Sequence, residues 1–156
     1  MLKVAIVVGS SSDLAHAERA GKLLEEFEVP HEIFVLSAHR TPFETLSFAQ
    51  NAEKNGFSVI IAMAGKAAHL PGVIAANTTL PVIGVPLAVS LNGLDSLLSI
   101  VQMPSGVPVA CMGIDGAVNA ALFAVAMLSL KDEKLSQRLK DYREKMKQEV
   151  LNWKRG

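Results

Sequence analysis

Continuous apolar runs alternate along this chain with segments in which apolar residues recur every three or four positions. Strands buried on both faces read as unbroken apolar runs, whereas helices laid over a sheet read as one-sided stripes. The pattern predicts strands over residues 2–8, 29–36, 57–63, 81–86 and 107–112. Helices are predicted between and after them, over about 13–27, 42–55, 71–77, 94–103 and 115–129, with Gly56 closing the second as a C-terminal cap. From 132 to 153 the pattern changes. Leu135, Leu139, Tyr142, Met146, Val150 and Trp153 form one narrow stripe on an otherwise charged helix.

Strand and helix in alternation predict a parallel sheet of five strands covered on both faces by helices. Residues 1–130 are expected to form the body of the domain. Residues 131–156 add a long amphipathic helix that packs on this region or on a neighbouring subunit, the whole making a single domain. Helix 115–129 is rich in Ala and almost uncharged, which makes subunit contacts there as natural as internal packing.

Basic and acidic residues balance at 15 each, so no global field favours nucleic acid or an anionic membrane. Nine basic and five acidic residues lie from Lys131 onward, leaving six and ten before it, and Arg40 and Lys66 are two of those six cations. The N-terminus enters a strand without a basic leader, and no uncharged apolar stretch reaches spanning length. The lone Cys111 has no partner within the chain and reads as a buried small hydrophobe in a reducing compartment, the cytoplasm.

Unusual polar residues concentrate in three loops that follow strands one, two and three. If strand one lies between strands two and three, these loops meet beyond the carboxyl ends of the strands, where parallel sheets bind ligands. The first, Gly9-Ser10-Ser11-Ser12-Asp13, offers hydroxyls and a helix N-terminus suited to phosphate, although Ser12 and Asp13 are also ordinary capping residues. In the second, Ser37-Ala38-His39-Arg40-Thr41-Pro42, the sequence predicts a short turn between a buried strand and a helix. Thr41 is its N-cap and Glu44 completes a capping box. The third runs Ala64-Gly65-Lys66-Ala67-Ala68-His69-Leu70-Pro71-Gly72.

Neither a dinucleotide fingerprint nor a complete P-loop is present, and no metal-ligand spacing accompanies the four histidines. His16 and His31 read as structural or solvated. His39 and His69 stand at the proposed mouth, where an imidazole can give and accept protons near neutrality. Arg40 beside His39 presents paired donors to a phosphate or carboxylate.

The segments GSSSD, SAHRTP, AGKAAHLPG and LNGLDSLLSIVQMPSGVPVA, in this order and spacing, resemble the bacterial-type N5-carboxyaminoimidazole ribonucleotide mutases of purine biosynthesis. The resemblance covers Val4 to about Leu130. It implies a flavodoxin-like, three-layer αβα sandwich and an isomerase that moves a carboxyl group from an exocyclic nitrogen to C4 of an imidazole, as a homo-octamer with sites at subunit interfaces and without metal, ATP or other cofactor. Carried over by motif, His39 is the proton carrier. Ser10, Ser12 and Asp13 hold ribose and phosphate, Arg40 contacts the anionic part of the nucleotide, and Ala67, Ala68, His69 and Leu70 line the base and carboxylate; Gly9, Ser37, Ala38, Gly65 and Lys66 complete the expected substrate-binding residues. Gln102-Met103-Pro104 is expected to reach a neighbour's site.

Met63, Lys66 and Ser105 depart from the glycine-rich wording of that family, and VPLAVSLNG is one residue shorter. A lysine at position 66 strains the loop if the backbone there needs positive φ; the alternative is that its ammonium attracts the carboxylate. A carboxylase of the same fold using carbon dioxide directly, and a noncatalytic phosphosugar or nucleotide-binding module, are the alternative readings.

Overall fold

The computed structural model describes residues 2–154; Met1, Arg155 and Gly156, at the outer ends of the two expected segments, lie outside the described residues. Five strands form one sheet: β1 (Val4–Val8), β2 (His31–Val35), β3 (Val59–Gly65), β4 (Val82–Leu87) and β5 (Ala110–Cys111). All pairings are parallel, in the order β2-β1-β3-β4-β5, so the winding reverses on either side of β1. The flavodoxin-like expectation holds, and with it the meeting of three loops at one end of the sheet.

Side chains alternate across the sheet as strand geometry requires. Val4, Ile6 and Val8 of β1 face α1 (Leu14–Glu26) and α5 (Ala117–Leu128), in a core completed by Ile61, Ile83 and Val125. Ala5 and Val7 face the other way. They pack with Ile60 and Ala62 against α2 (Pro42–Asn51), α3 (Leu70–Ala75) and α4 (Leu94–Val101). The all-round apolar character of α5 follows from its position, buried through Ala117, Ala120, Ala121, Ala124, Val125 and Leu128.

Several boundaries differ from expectation. β2 is an edge strand rather than a buried one, with Ile33 36% and Val35 47% exposed. The strand expected over 107–112 pairs only at Ala110 and Cys111. Pro108 has no amide hydrogen to donate, and Val107 is engaged in a turn to Pro104 through Gly106 at φ +101°. α4 ends at Val101, since Gln102 takes φ −85°, ψ +66° outside helical geometry, two residues before Pro104. α5 begins two residues late because Asp115 adopts φ +58°. Beyond α2, Gly56 at φ +86° turns the chain, and Phe57 N donates to Ala52 O at 3.1 Å. Two short 3₁₀ turns, Ser11–Asp13 and Leu91–Gly93, precede α1 and α4.

The last helix, α6 (Glu133–Leu151), is capped by Asp132, whose carboxylate accepts from Leu135 N at 3.0 Å. Its first half packs on the α1/α5 side through Leu135, Leu139 and Tyr142, and Arg138 donates to Phe27 O at 2.8 Å. Beyond Tyr142 the stripe emerges from the fold: Val150 and Trp153 are 75% and 70% exposed. Among the described residues, no helix is long and apolar enough to cross a membrane.

Candidate active site

The turn after β2 is fixed by hydrogen bonds that converge on Ser37. Its carbonyl oxygen accepts from Thr41 N at 2.9 Å, from Thr41 Oγ1 at 3.0 Å and from Thr45 Oγ1 at 3.1 Å. Its hydroxyl accepts from Arg40 N at 3.0 Å and Nε at 3.3 Å. Ser37 N in turn donates to Thr41 Oγ1 at 2.8 Å. Thr41 does occupy the N-cap of α2, but its hydroxyl serves Ser37, so the capping box expected with Glu44 does not form. The same residue type that caps helices has closed a turn instead, because Ser37 competes for the hydroxyl.

Arg40 extends from this turn to the first loop, where Nη2 donates to Gly9 O at 2.7 Å. In that loop Ser10 Oγ lies 3.0 Å from Ser12 Oγ and accepts from Ser12 N at 3.4 Å, capping the short turn over 11–13. Asp13 stands at the N-cap of α1 yet makes no side-chain cap bond, which leaves its carboxylate available. Burial pushes the Asp13 carboxyl above the usual carboxylate range, and the charges of His16 and Arg40 partly offset that rise.

The third loop brings His69 to the start of α3, where its ring caps nothing. Instead His69 Nδ1 lies 2.8 Å from His39 Nε2, with the two rings nearly perpendicular and their centroids 4.9 Å apart. Two loops thirty residues apart thus meet in one imidazole pair. Within the loop, Ala68 N donates to Lys66 O and His69 N to Ala67 O, each at 2.8 Å. Lys66 adopts φ +54°, the left-handed backbone that its sequence position raised as a source of strain.

The three loops enclose a cavity of about 540 Å³, a size suited to a small-molecule ligand. Gly9, Ser10, Ser12, Asp13, Ser37, Ala38, His39, Arg40, Gly65, Lys66, Ala67, His69 and Leu70 line it. Ala68 does not; it is 1% exposed and packs in the core beneath, facing α3 and α2. Two further residues line it: Ala64, which opens the third loop but was not singled out, and Val89, which escaped the sequence reading. Ala64 is the last residue but one of β3 and carries no polar signal. Val89 belongs to a fourth loop, held by Asp115, which accepts from Ala88 N at 3.0 Å, and by the hydrogen bond from Ser90 to Asp95. The one signal for it is Gly65, where a Cβ would fall 2.3 Å from Val89 Cγ2, so the glycine is required by that side chain.

His16 and His31 stand apart from this cavity. His16 Nδ1 accepts from Arg19 at 2.6 Å, and His31 Nδ1 lies 3.4 Å from Val29 O. Among the described residues, no group of three or more His, Cys, Asp or Glu could hold a metal ion.

Comparison with known proteins places these features in a family. The family model described as AIR carboxylase matches residues 3–149. A Pyrococcus abyssi protein named N5-carboxyaminoimidazole ribonucleotide mutase is 59% identical over 165 aligned positions, covering 99% of this chain and 95% of that protein. One of the same name from Escherichia coli K12 is 54% identical, covering 96% of this chain and 90% of its own length. The crystal structure of Treponema denticola PurE superposes with a TM-score of 0.89 at 30% identity, over 97% of this chain and 95% of that one.

Proposed function

The chain belongs to the AIR carboxylase family, and from that membership and the cavity's geometry we propose that it is an N5-carboxyaminoimidazole ribonucleotide mutase. Such an enzyme moves the carboxyl group from the exocyclic nitrogen to C4 of the imidazole, yielding 4-carboxy-5-aminoimidazole ribonucleotide for purine biosynthesis. The observation that carries the chemical reading is the 2.8 Å contact between His39 and His69 in the cavity shared with the loop over residues 9–13.

In this reading Ser10, Ser12 and Arg40 hold the phosphate, and Asp13 accepts from the ribose hydroxyls. Hydroxyls, a helix N-terminus and a guanidinium are the donors that a phosphate recruits. His39 first gives a proton to the exocyclic nitrogen as the carbamate loses carbon dioxide. C4 of the electron-rich ring then attacks the trapped carbon dioxide, and His39 takes the C4 proton to restore aromaticity. One proton leaves the imidazole and one returns, so no redox equivalent or hydrolysis is consumed and no resident cofactor is needed.

The His39–His69 contact suits this cycle. Two facing ring nitrogens share a hydrogen bond only when one bears hydrogen and the other a lone pair, so the pair holds at most one extra proton. When His39 is protonated, His69 Nδ1 must accept, which fixes the tautomer of His69 and the direction of the His39 ring. Positioned proton transfer of this kind contributes about 10²–10⁴-fold.

Carbon dioxide must recombine before it escapes, so the cavity needs a cover. Val89 on its wall is 54% exposed, and Leu91, Leu94, Leu98 and Val101 continue an apolar surface away from it. That surface supports a homo-octamer in which a neighbour closes each site, with Gln102-Met103-Pro104 reaching across. The free Cys111 accords with a reducing, cytoplasmic setting.

The test is to mix purified protein with the carbamate nucleotide, without added bicarbonate or ATP, and follow the ultraviolet absorbance of the 4-carboxy product. Conversion supports the mutase. Product formed only from aminoimidazole ribonucleotide and dissolved carbon dioxide makes it a carboxylase, and tight binding without product makes it a binding module.

A further inference from the structure

Lys66 presents an unexplained combination. It adopts φ +54°, a backbone that L side chains rarely take and that glycine would adopt freely. Nothing within the fold compensates. The side chain is exposed, and among the described residues it takes part in no ion pair or hydrogen bond. Yet it lines the cavity.

The cavity holds one other permanent cation, Arg40, and that one is already engaged. Its Nη2 donates to Gly9 O and its Nε to Ser37 Oγ, which aims the guanidinium at the first loop. Lys66 sits on the third loop, three residues before His69, the partner of His39. The two cations therefore stand on different loops of the cavity, Arg40 turned to the first and Lys66 on the third. A ligand with a phosphate at one end and a carboxyl at the other matches that division.

Resting on the mutase reading, we propose that the ε-ammonium of Lys66 is a specificity-determining contact for the migrating carboxyl group. C4 of the imidazole both surrenders its proton to His39 and receives the carboxyl, so the carboxylate lies within a few ångströms of the imidazole pair. The loop that carries His69 is the loop that carries this ammonium. A compact charge on four methylenes can follow the carboxylate between nitrogen and carbon, which a rigid guanidinium fork cannot do as readily.

The experiment compares binding of two nucleotides, the 4-carboxy product and aminoimidazole ribonucleotide, which lacks the carboxyl but keeps ribose and phosphate. Calorimetric titrations are run on the intact protein and on the variants Lys66→Met, which keeps a Cβ at the strained position, and Lys66→Arg, which keeps the charge. The proposal predicts that Lys66→Met weakens the carboxylated nucleotide by roughly ten- to a hundredfold, as for loss of a charge-assisted hydrogen bond. Aminoimidazole ribonucleotide changes by less than about twofold, and Lys66→Arg recovers most of the loss.

Equal weakening of both nucleotides assigns Lys66 to the phosphate and overturns the proposal, as does unchanged binding of both. Failure of the underlying reading looks different: the unmodified protein then binds neither nucleotide.

Discussion

Thr45, with no exposed surface, donates its hydroxyl to the carbonyl oxygen of Ser37 at 3.1 Å and so ties the second turn of α2 to the turn that carries His39 and Arg40. The same hydroxyl reaches Thr41 O at 2.8 Å. Thr45→Val keeps the shape and removes the donor. Stability should fall by about 1–2 kcal/mol, for a protein of this size a few degrees of melting temperature. Turnover should drop about tenfold, because a catalytic group displaced by a fraction of an ångström loses its alignment. Thermal melts and initial rates on the same preparation check both.

Gly84 in β4 lies where two helices press on the sheet. A Cβ there would fall 2.5 Å from Ile100 Cγ2, 3.0 Å from Val109 Cγ1 and 3.3 Å from Pro71 Cβ. Pro71 follows His69 and Leu70 in α3, so relief of the clash moves the wall of the cavity. Gly84→Ala should cost about 1–3 kcal/mol by urea denaturation. Gly113→Ala, with nothing within 4 Å of its added carbon, should stay within about 0.5 kcal/mol of the parent.

Asp13 yields a prediction with a sign in pH. Burial raises its folded-state pKa above the unfolded value, so the ionised carboxylate opposes folding. That penalty is absent below the unfolded carboxylate range and complete once pH has risen through the folded pKa. Asp13→Asn should therefore melt higher than the parent at pH ~7, and the difference should vanish as pH falls toward ~3. The same substitution should weaken nucleotide binding, the stability having been surrendered for function. A melting series across that range without ligand, followed by titration of nucleotide at neutral pH, tests both halves.

How far the sequence carried this account differs from element to element. The sheet order and the three convergent loops were legible because parallel strands buried on both faces must be apolar throughout, as Val59 to Met63 are, and because His39, Arg40 and His69 are conspicuous against such runs. The edge exposure of β2 follows from that order and not from its own composition. Ile33 and Val35 read as core residues, and only strand order shows them on the rim. Thr41 misled for a local reason: N-caps and closed turns recruit the same hydroxyl, and the winner depends on where Ser37 O points. Asp13 was ambiguous in the same way, and its carboxylate is free because Ser10 had already capped the preceding turn. Val89 was invisible, since a valine in a loop has no chemical signature until Gly65 is seen to make room for it. The contact between His39 and His69 spans thirty residues, and no spacing rule reaches that far.

In the proposed cycle the His39 imidazole carries the proton in both halves of the carboxyl transfer. The most direct measurement of this role is turnover of the carbamate nucleotide by His39→Asn, with product binding to the same variant measured alongside. The account predicts binding within a few-fold of the parent and turnover reduced by at least about 10²-fold. Turnover near that of the parent, with binding intact, would contradict it.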